Sequence, residues 1–317
     1  MTILVAGATG LAGSAIVREL TRIGRPVVGI SSKDVDLLDR DATFNYLNKL
    51  KPNAVIDAAA KVGGISANNN YPVEFLSENI RIQTNLIDAA HSARVEKFVF
   101  LASSCVYPKN CPQPIKEEYV LTGALESTNS AYAIAKLAGI ELIKAYRKEF
   151  GHSWISVMPT NLYGPNDNFD LENSHVFPAL IRKFIDAKKS NVSSVELWGT
   201  GKPRREFLHV DDLAKAIIVC LDNYDSDQQI NIGTGIDLTI AELAEKIAKS
   251  TGFSGGINWD VAREDGTPQK VLDIQKITNL GWKPTINLDQ GIKLTVEWYL
   301  ENKYGEVWHQ KKLLLPE

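Results

Sequence analysis

The chain has 317 residues, 44% of them hydrophobic and 23% charged, with a formal net charge of -3. This is the make-up of a soluble globular protein of one large or two small domains, and the lack of any basic block argues against a nucleic-acid partner. No apolar run approaches a membrane span, and three cysteines (Cys105, Cys111 and Cys220) without metal-like pairing point to a reduced, cytoplasmic compartment.

Ile3-Leu4-Val5-Ala6 predicts a first strand rather than a signal peptide. Gly7-Ala8-Thr9-Gly10-Leu11-Ala12-Gly13 follows at once, and residues 14–20 have helical periodicity. Glycines between a strand and a helix let the backbone approach a pyrophosphate, and the helix N-terminus supplies free N–H groups. Three glycines alone also make an ordinary turn; the strand-turn-helix setting favours a dinucleotide site. Residues 27–30 form a second strand. At its end an acid would hold the ribose 2′-OH of NAD, and a base the 2′-phosphate of NADP. Ser31-Ser32-Lys33-Asp34 presents Lys33 as its first charge, which points to NADP(H). Asp39 either reaches the adenine or caps the helix expected over 40–50.

A third strand is expected over 54–57 and a long helix over 72–93, with Phe75, Ile80, Ile82, Leu86 and Ile87 on its apolar side. A fourth strand over 98–101, a helix over 131–150 and a fifth strand over 155–158 continue the alternation. This rhythm predicts an α/β fold with a doubly wound parallel sheet, Rossmann-like. Beyond Tyr163-Gly164-Pro165 the pattern turns irregular, with Gly199-Thr200-Gly201 and Gly233-Thr234-Gly235 as turn punctuation. The expected division is a dinucleotide-binding domain over 1–165 with about 206–235, and a smaller substrate lobe over about 166–205 with about 236–317.

Tyr132 and Lys136 lie four apart in Ala131-Tyr132-Ala133-Ile134-Ala135-Lys136, so both face one side of a helix. A Lys⁺ beside a phenol is expected to favour its ionisation, letting Tyr132 pass a proton near neutral pH. Ser103-Ser104-Cys105 ends an apolar strand in hydroxyls and a thiol, at the sheet edge where α/β proteins bind ligands. Cys105 lies two residues past Ser103, and in an extended chain it would point to the same face.

These residues carry a resemblance. Gly7 to Gly13, Ser103, Tyr132 and Lys136 resemble the extended short-chain dehydrogenase/reductases. Ala58-Ala59-Ala60-Lys61-Val62-Gly63-Gly64-Ile65, Ser103-Ser104-Cys105-Val106-Tyr107-Pro108, Met158-Pro159-Thr160-Asn161-Leu162-Tyr163-Gly164-Pro165 and Arg205-Glu206-Phe207-Leu208-His209-Val210-Asp211-Asp212 are similar to the GDP-L-fucose synthases among them. Ala8-Thr9 stands where that family often has His-Arg, and Lys33 and Lys183 stand where it often has arginine. The resemblance implies a bifunctional enzyme that epimerises GDP-4-keto-6-deoxy-D-mannose at C3 and C5 and reduces it with NADPH. It implies Ser103, Tyr132 and Lys136 as the reductive set, with Cys105 as base and His175 as acid for epimerisation. It implies cofactor contacts from Gly7 to Gly13, Lys33, Leu38, Asp39, Leu101, Ala102, Ser104, Lys136, Pro159, Thr160, Asn161, Leu162 and His175. It places the GDP-sugar on Asn161, Lys183, Trp198, Arg205, Asp265 and Lys270, and it implies a homodimer built on the two long helices. Two other readings stay open: a sugar-nucleotide 4-epimerase or dehydratase, against which Cys105 and His175 argue, and a non-catalytic NADP-binding module, against which the retained reductive set argues.

Overall fold

The computed structural model describes residues 1–263, 265–302 and 304; the end of the expected substrate lobe, 305–317, lies outside the described residues. The first half alternates as the sequence predicts, with β1 (Ile3–Ala6), α1 (Leu11–Arg22), β2 (Val27–Ile30), α2 (Arg40–Leu50), β3 (Ala54–Asp57), α4 (Pro72–Ser92), β4 (Lys97–Leu101), α5 (Ser130–Phe150) and β5 (Ile155–Pro159), and adds a short helix that was not expected, α3 (Ile65–Asn70), between β3 and α4. Each boundary has a local cause. Gly7 leaves β1 at φ +75°, Asp39 caps α2 by accepting from the Ala42 N–H at 2.9 Å, Pro72 opens α4, and Gly151 closes α5 in the left-handed region.

The second half interleaves two tasks. Its elements are β6 (Asn161–Tyr163), α6 (Val176–Lys189), β7 (Ser194–Trp198), β8 (Arg204–His209), α7 (Val210–Asn223), β9 (Ile230–Ile232), β10 (Asp237–Thr239), α8 (Ile240–Thr251), β11 (Gly256–Asp260), β12 (Gln269–Lys270), α9 (Gln275–Asn279) and α10 (Leu288–Asn302). β9 joins the main sheet, which runs β2-β1-β3-β4-β5-β9 with every neighbour parallel. β1, β3 and β5 are buried along their whole length, as parallel strands covered on both faces must be. One apolar layer packs α2, α4 and α5 against the sheet around Phe98, Phe100, Ile140 and Trp154; the other packs α1 and α7 around Ile16, Leu20 and Ile217. A third cluster, with Phe177, Phe184, Leu243 and Tyr299, holds α6, α8 and α10 together.

Strand order fixes where a ligand sits. From β1 the chain goes outward to β2 on one side and then returns to β3 on the other, so a crevice opens over their carboxyl ends. β8 spans the junction with the second sheet, pairing β6, β10 and β12. Its Glu206 is fully buried and accepts from the backbone N–H groups of Thr234, Gly235 (2.6 Å) and Leu272 (2.9 Å). Stranding those donors would cost about 1–3 kcal/mol apiece, so Glu206 acts as a fastener between the segments that meet there.

Candidate active site

The crevice over β1 and β3 is walled by glycines with no room for a side chain. A Cβ on Gly13 would stand 2.1 Å from the Gly7 carbonyl oxygen, and one on Gly7 would stand 2.7 Å from that of Ala58. Gly10 precedes α1 without any side-chain cap, so the first N–H groups of the helix face the crevice. A turn packed backbone against backbone at Gly7 and Gly13, ending in an uncapped helix start, fits a pyrophosphate, and Ala8, Thr9, Leu11 and Ala12 lie along it. The Ala8 N–H is tied to the Ile30 carbonyl at 2.9 Å, which fastens the cradle to the end of β2. There the Asp34 carboxylate accepts from both the N–H and the Oγ of Ser31, each at 2.8 Å, and Lys33 remains exposed. Asp39 spends one oxygen on the cap of α2, and Leu38 accepts from Asn85 Nδ2 at 3.3 Å.

Tyr132 and Lys136 project from α5 beside the end of β4. Lys136 is buried and its Nζ donates to the Leu101 carbonyl at 2.9 Å. It stands 4.7 Å from the centre of the Phe100 ring and 5.9 Å from that of Tyr132. The expected lowering of the phenol is not what this arrangement produces. Burial pushes Tyr132 well above the usual tyrosine range, and the neighbouring Cys105 and Asp57 push the same way. A phenol so held keeps its proton until a developing alkoxide demands it, which suits an acid. Burial also lowers the Lys136 ammonium, opposed by Asp57 and Cys105. Asp57 ends β3, fully buried; Ala59 N–H binds one carboxylate oxygen at 3.1 Å, and the other has no hydrogen-bond partner among the described residues. Burial raises its carboxyl to about 6.

Cys105 reaches the same spot by a route other than the expected one. Residues 104–106 form a turn of 3-10 helix, so an extended strand does not align Cys105 with Ser103. The turn instead brings the Cys105 N–H to Ser103 Oγ at 3.3 Å. Burial raises the thiol, while Lys270, Ser103 and Lys136 pull it down. Lys270, on β12, lies opposite Arg205 of β8 in register. A line of groups then runs outward. The Arg205 guanidinium lies near Glu126 and Asp265, which oppose the lowering that burial imposes on it. The Asp265 carboxylate takes Thr200 N–H at 2.9 Å and Thr200 Oγ1 at 2.6 Å. Farther along, Trp198 is 57% exposed and lies under two cations, Lys183 at 5.6 Å and Arg263 at 4.9 Å. Such a flat, open indole flanked by positive charge fits a nucleotide end.

Asn161 turns its amide back to the Glu206 carbonyl at 2.8 Å, and Thr160 Oγ1 bonds the same oxygen at 3.4 Å. Pro159 ends β5 opposite Ile232, and Leu162 packs into the α1–α7 layer. Ala102 is tied to the Val157 carbonyl at 2.9 Å, and Ser104 is buried. His175 precedes α6 without a capping bond from its side chain. The residue is solvent-accessible, and desolvation by the surrounding protein lowers its imidazolium. Among the described residues no cluster of three metal-ligating side chains occurs and no helix is long and apolar enough to cross a membrane.

Residues 3–233 match the model of the NAD dependent epimerase/dehydratase family. The chain belongs to that family. Within it, the chain is 52% identical to the Putative GDP-L-fucose synthase 2 of Arabidopsis thaliana, covering 95% of this chain and 92% of the relative. It is 47% identical to the GDP-L-fucose synthase of Escherichia coli (strain K12), covering 95% and 97%. A crystal structure of a GDP-L-fucose synthetase from Naegleria fowleri bound to NADP superposes with a TM-score of 0.87 at 32% identity, covering 95% and 94%.

Three features of this family member escaped sequence reasoning. Asp57 had a signal, because an acid closing the wholly apolar run Ala54-Val55-Ile56 must find a reason to be buried. Lys270 was read only as a substrate cation, and its place beside Cys105 depends on the pairing of β12 with β8. Arg263 had no signal, since nothing local ties it to a tryptophan 65 residues earlier.

Proposed function

We propose that this member of the family converts GDP-4-keto-6-deoxy-D-mannose to GDP-L-fucose, by epimerisation at C3 and C5 and NADPH-dependent reduction at C4. The observation that carries this reading is the thiol of Cys105 set among Ser103, Tyr132, Lys136 and Lys270. Hydride return at C4, as in a simple 4-epimerase, has no use for a thiol there.

In this reading the C4 ketone makes the C3 and C5 protons acidic, since loss of either leaves an enolate. Ser103 and Tyr132 donate to its oxygen. Cys105 takes the proton, aided by the Lys270 charge, and His175 returns one to the opposite face. NADPH, when bound, would supply the hydride for C4. Tyr132 gives its proton to O4, and Lys136 would hold the nicotinamide ribose, its positive charge offsetting the phenolate that forms. Gly7 to Gly13 would carry the pyrophosphate and Lys33 the 2′-phosphate. Arg205, Lys183 and Lys270 pair with the diphosphate of the GDP-sugar, with Trp198 against the base and Asp265 and Asn161 as polar anchors.

The same reading assigns the cofactor to residues 1–165 with about 206–235, and the GDP-sugar to about 166–205 with the lobe from 236 onward. A homodimer is supported by α4 and α5, which leave the apolar Val73 and Ile134 exposed. Three free cysteines accord with a reducing, cytoplasmic setting. The decisive experiment incubates the protein with NADPH and GDP-4-keto-6-deoxy-D-mannose and identifies the sugar by NMR. GDP-L-fucose is expected; recovery of unreduced sugar with no NADPH consumed refutes the reading.

A further inference from the structure

His175 poses a positional problem. Its side chain makes no capping bond to α6, and the stretch before it is a polar loop. Within that loop Asp170 organises the backbone locally: its Oδ1 accepts from the N–H groups of Glu172 and Asn173, each at 3.0 Å, and its carbonyl accepts from Ser174 N–H at 2.9 Å. These bonds shape the turn without fixing it against the rest of the cleft. At its start the loop is held by Phe169, which stacks on Tyr299 at 4.2 Å and whose carbonyl accepts from Arg182 at 2.9 Å; at its His175 end the contact comes from elsewhere in the chain. Gly64 N–H donates to the Asn173 carbonyl at 2.9 Å.

The approach there is too close for any side chain. A Cβ on Gly64 would stand 2.4 Å from the Ser174 carbonyl oxygen and 3.2 Å from its carbon. Gly64 has φ -67° and ψ -178°, which any residue adopts, so this glycine answers to space and not to backbone conformation. At Gly63 a Cβ would meet Ala67 Cβ at 2.9 Å, Phe75 Cζ at 3.0 Å and the Asn173 carbonyl oxygen at 3.4 Å. Asn68, buried to 6% exposure, closes the turn by donating Nδ2 to the carbonyls of Gly63 at 2.8 Å and Gly64 at 3.0 Å. Phe75 then continues the stack, standing edge-on to Tyr132 with ring centres 6.4 Å apart.

We propose that the Gly63-Gly64 turn, clamped by Asn68 and backed by Phe75, is the positioning device that sets His175 relative to Tyr132. The inference rests on the epimerase-reductase reading, in which His175 serves proton transfer to carbon and Tyr132 serves reduction. Tyr132 is anchored by α5 whatever the turn does. His175 is one residue beyond the Ser174 carbonyl that a Gly64 side chain would displace. Disturbing the turn must therefore move one function and spare the other.

The test compares Gly64→Ala and Asn68→Ala with the parent enzyme and with His175→Gln. Three quantities are read: solvent deuterium entry at C3 and C5 of GDP-4-keto-6-deoxy-D-mannose, NADPH oxidation with the same ketone, and NADPH binding by fluorescence quenching. Gly64→Ala is expected to slow deuterium entry by about 100-fold, the size of effect that a displacement near 1 Å produces in an acid–base step. Asn68→Ala, which releases the clamp without a clash, slows it less. Both keep NADPH binding, and their product is enriched in unepimerised 6-deoxy sugar. Equal loss of exchange and reduction in both variants, or unchanged exchange in both while His175→Gln is impaired, overturns the positioning role. Wild-type exchange in His175→Gln instead overturns the assignment of His175, and the proposal with it.

Discussion

The two acid–base pairs of the proposed reading are held in opposite ways. Tyr132 and Lys136 share a single turn of α5, and Lys136 is locked by its bond to the Leu101 carbonyl. Cys105 and His175 come from a one-turn 3-10 segment and from the end of a loop, 70 residues apart in the chain. Groups on a regular helix are placed more tightly than groups on loops. In the proposed reading the helix-borne pair serves hydride chemistry, and the loop-borne pair serves the stereochemistry of one substrate. Function that must be reproduced sits on the scaffold, and function that varies sits on the connections.

The comparison breaks most sharply at the phenol. Tyr132→Phe keeps the ring and its edge-on contact with Phe75, and removes the proton. Reduction, followed as NADPH oxidation, should fall by about 100-fold or more, while deuterium still enters the sugar at a measurable rate. Near-normal reduction would show that Tyr132 is packing and not chemistry.

A smaller effect on turnover, with a larger one on the product, is expected at the loop-borne pair. Cys105→Ser replaces the thiol with a hydroxyl that hardly ionises near neutral pH. NADPH should still be consumed, and NMR of the product should show retained configuration at C3 and C5. Wild-type product from this variant would leave Cys105 a buried structural thiol, the commoner fate of such residues.

The smallest effect is a shift along the pH axis at Asp57. Above about pH 6 this carboxyl is ionised, and its charge supports the Lys136 ammonium and raises the Tyr132 phenol. In Asp57→Asn both supports vanish. The alkaline limb of the reduction profile should therefore move to lower pH, while activity below pH 6 stays close to that of the parent. The stability consequence has the opposite sign. A carboxyl raised from 3.8 to about 6 contributes stability that is complete below the unfolded value and lost as pH rises through the folded one. Melting temperatures of the parent should decline between pH 4 and pH 6 relative to those of the variant; parallel curves would mean that Asp57 carries no such burden.

How much of this was legible beforehand follows the same division. The parallel sheet lobe could be read almost residue by residue, because strands over 27–30 and 54–57 and the helix over 40–50 are each coded by local pattern and terminated by local signals. The glycine cradle and the Tyr132–Lys136 face are likewise short-range facts. The site failed to be legible where it depends on pairing. Cys105 was expected on an extended strand, but Ser103 draws it into a turn. The phenol was expected to be lowered by Lys136, yet the Leu101 carbonyl, 35 positions earlier, holds the ammonium and burial decides the direction. Lys270 meets Cys105 only because β12 lies beside β8. Asp39 had two readings, and the structure spends one of its oxygens on the helix cap.

The order of strands has a consequence for how the chain is made. β5 lies between β4 and β9, and β9 is Ile230–Ile232, synthesised some 70 positions after the end of β5. During that interval β5 offers an open, apolar edge to any other strand. α7, which will cover one face of the sheet, is also still missing. Arg18 and Arg25 on the first α–β unit wait longer still, 193 and 197 positions, for Asp211 and Asp222, their ion-pair partners at 2.8 and 2.6 Å. The nascent chain therefore passes through a window in which nearly all of the nucleotide cradle has been made but its sheet remains unsealed. An unpaired strand edge in an incomplete chain is open to wrong pairing, so this window in synthesis is a point of exposure to misassembly.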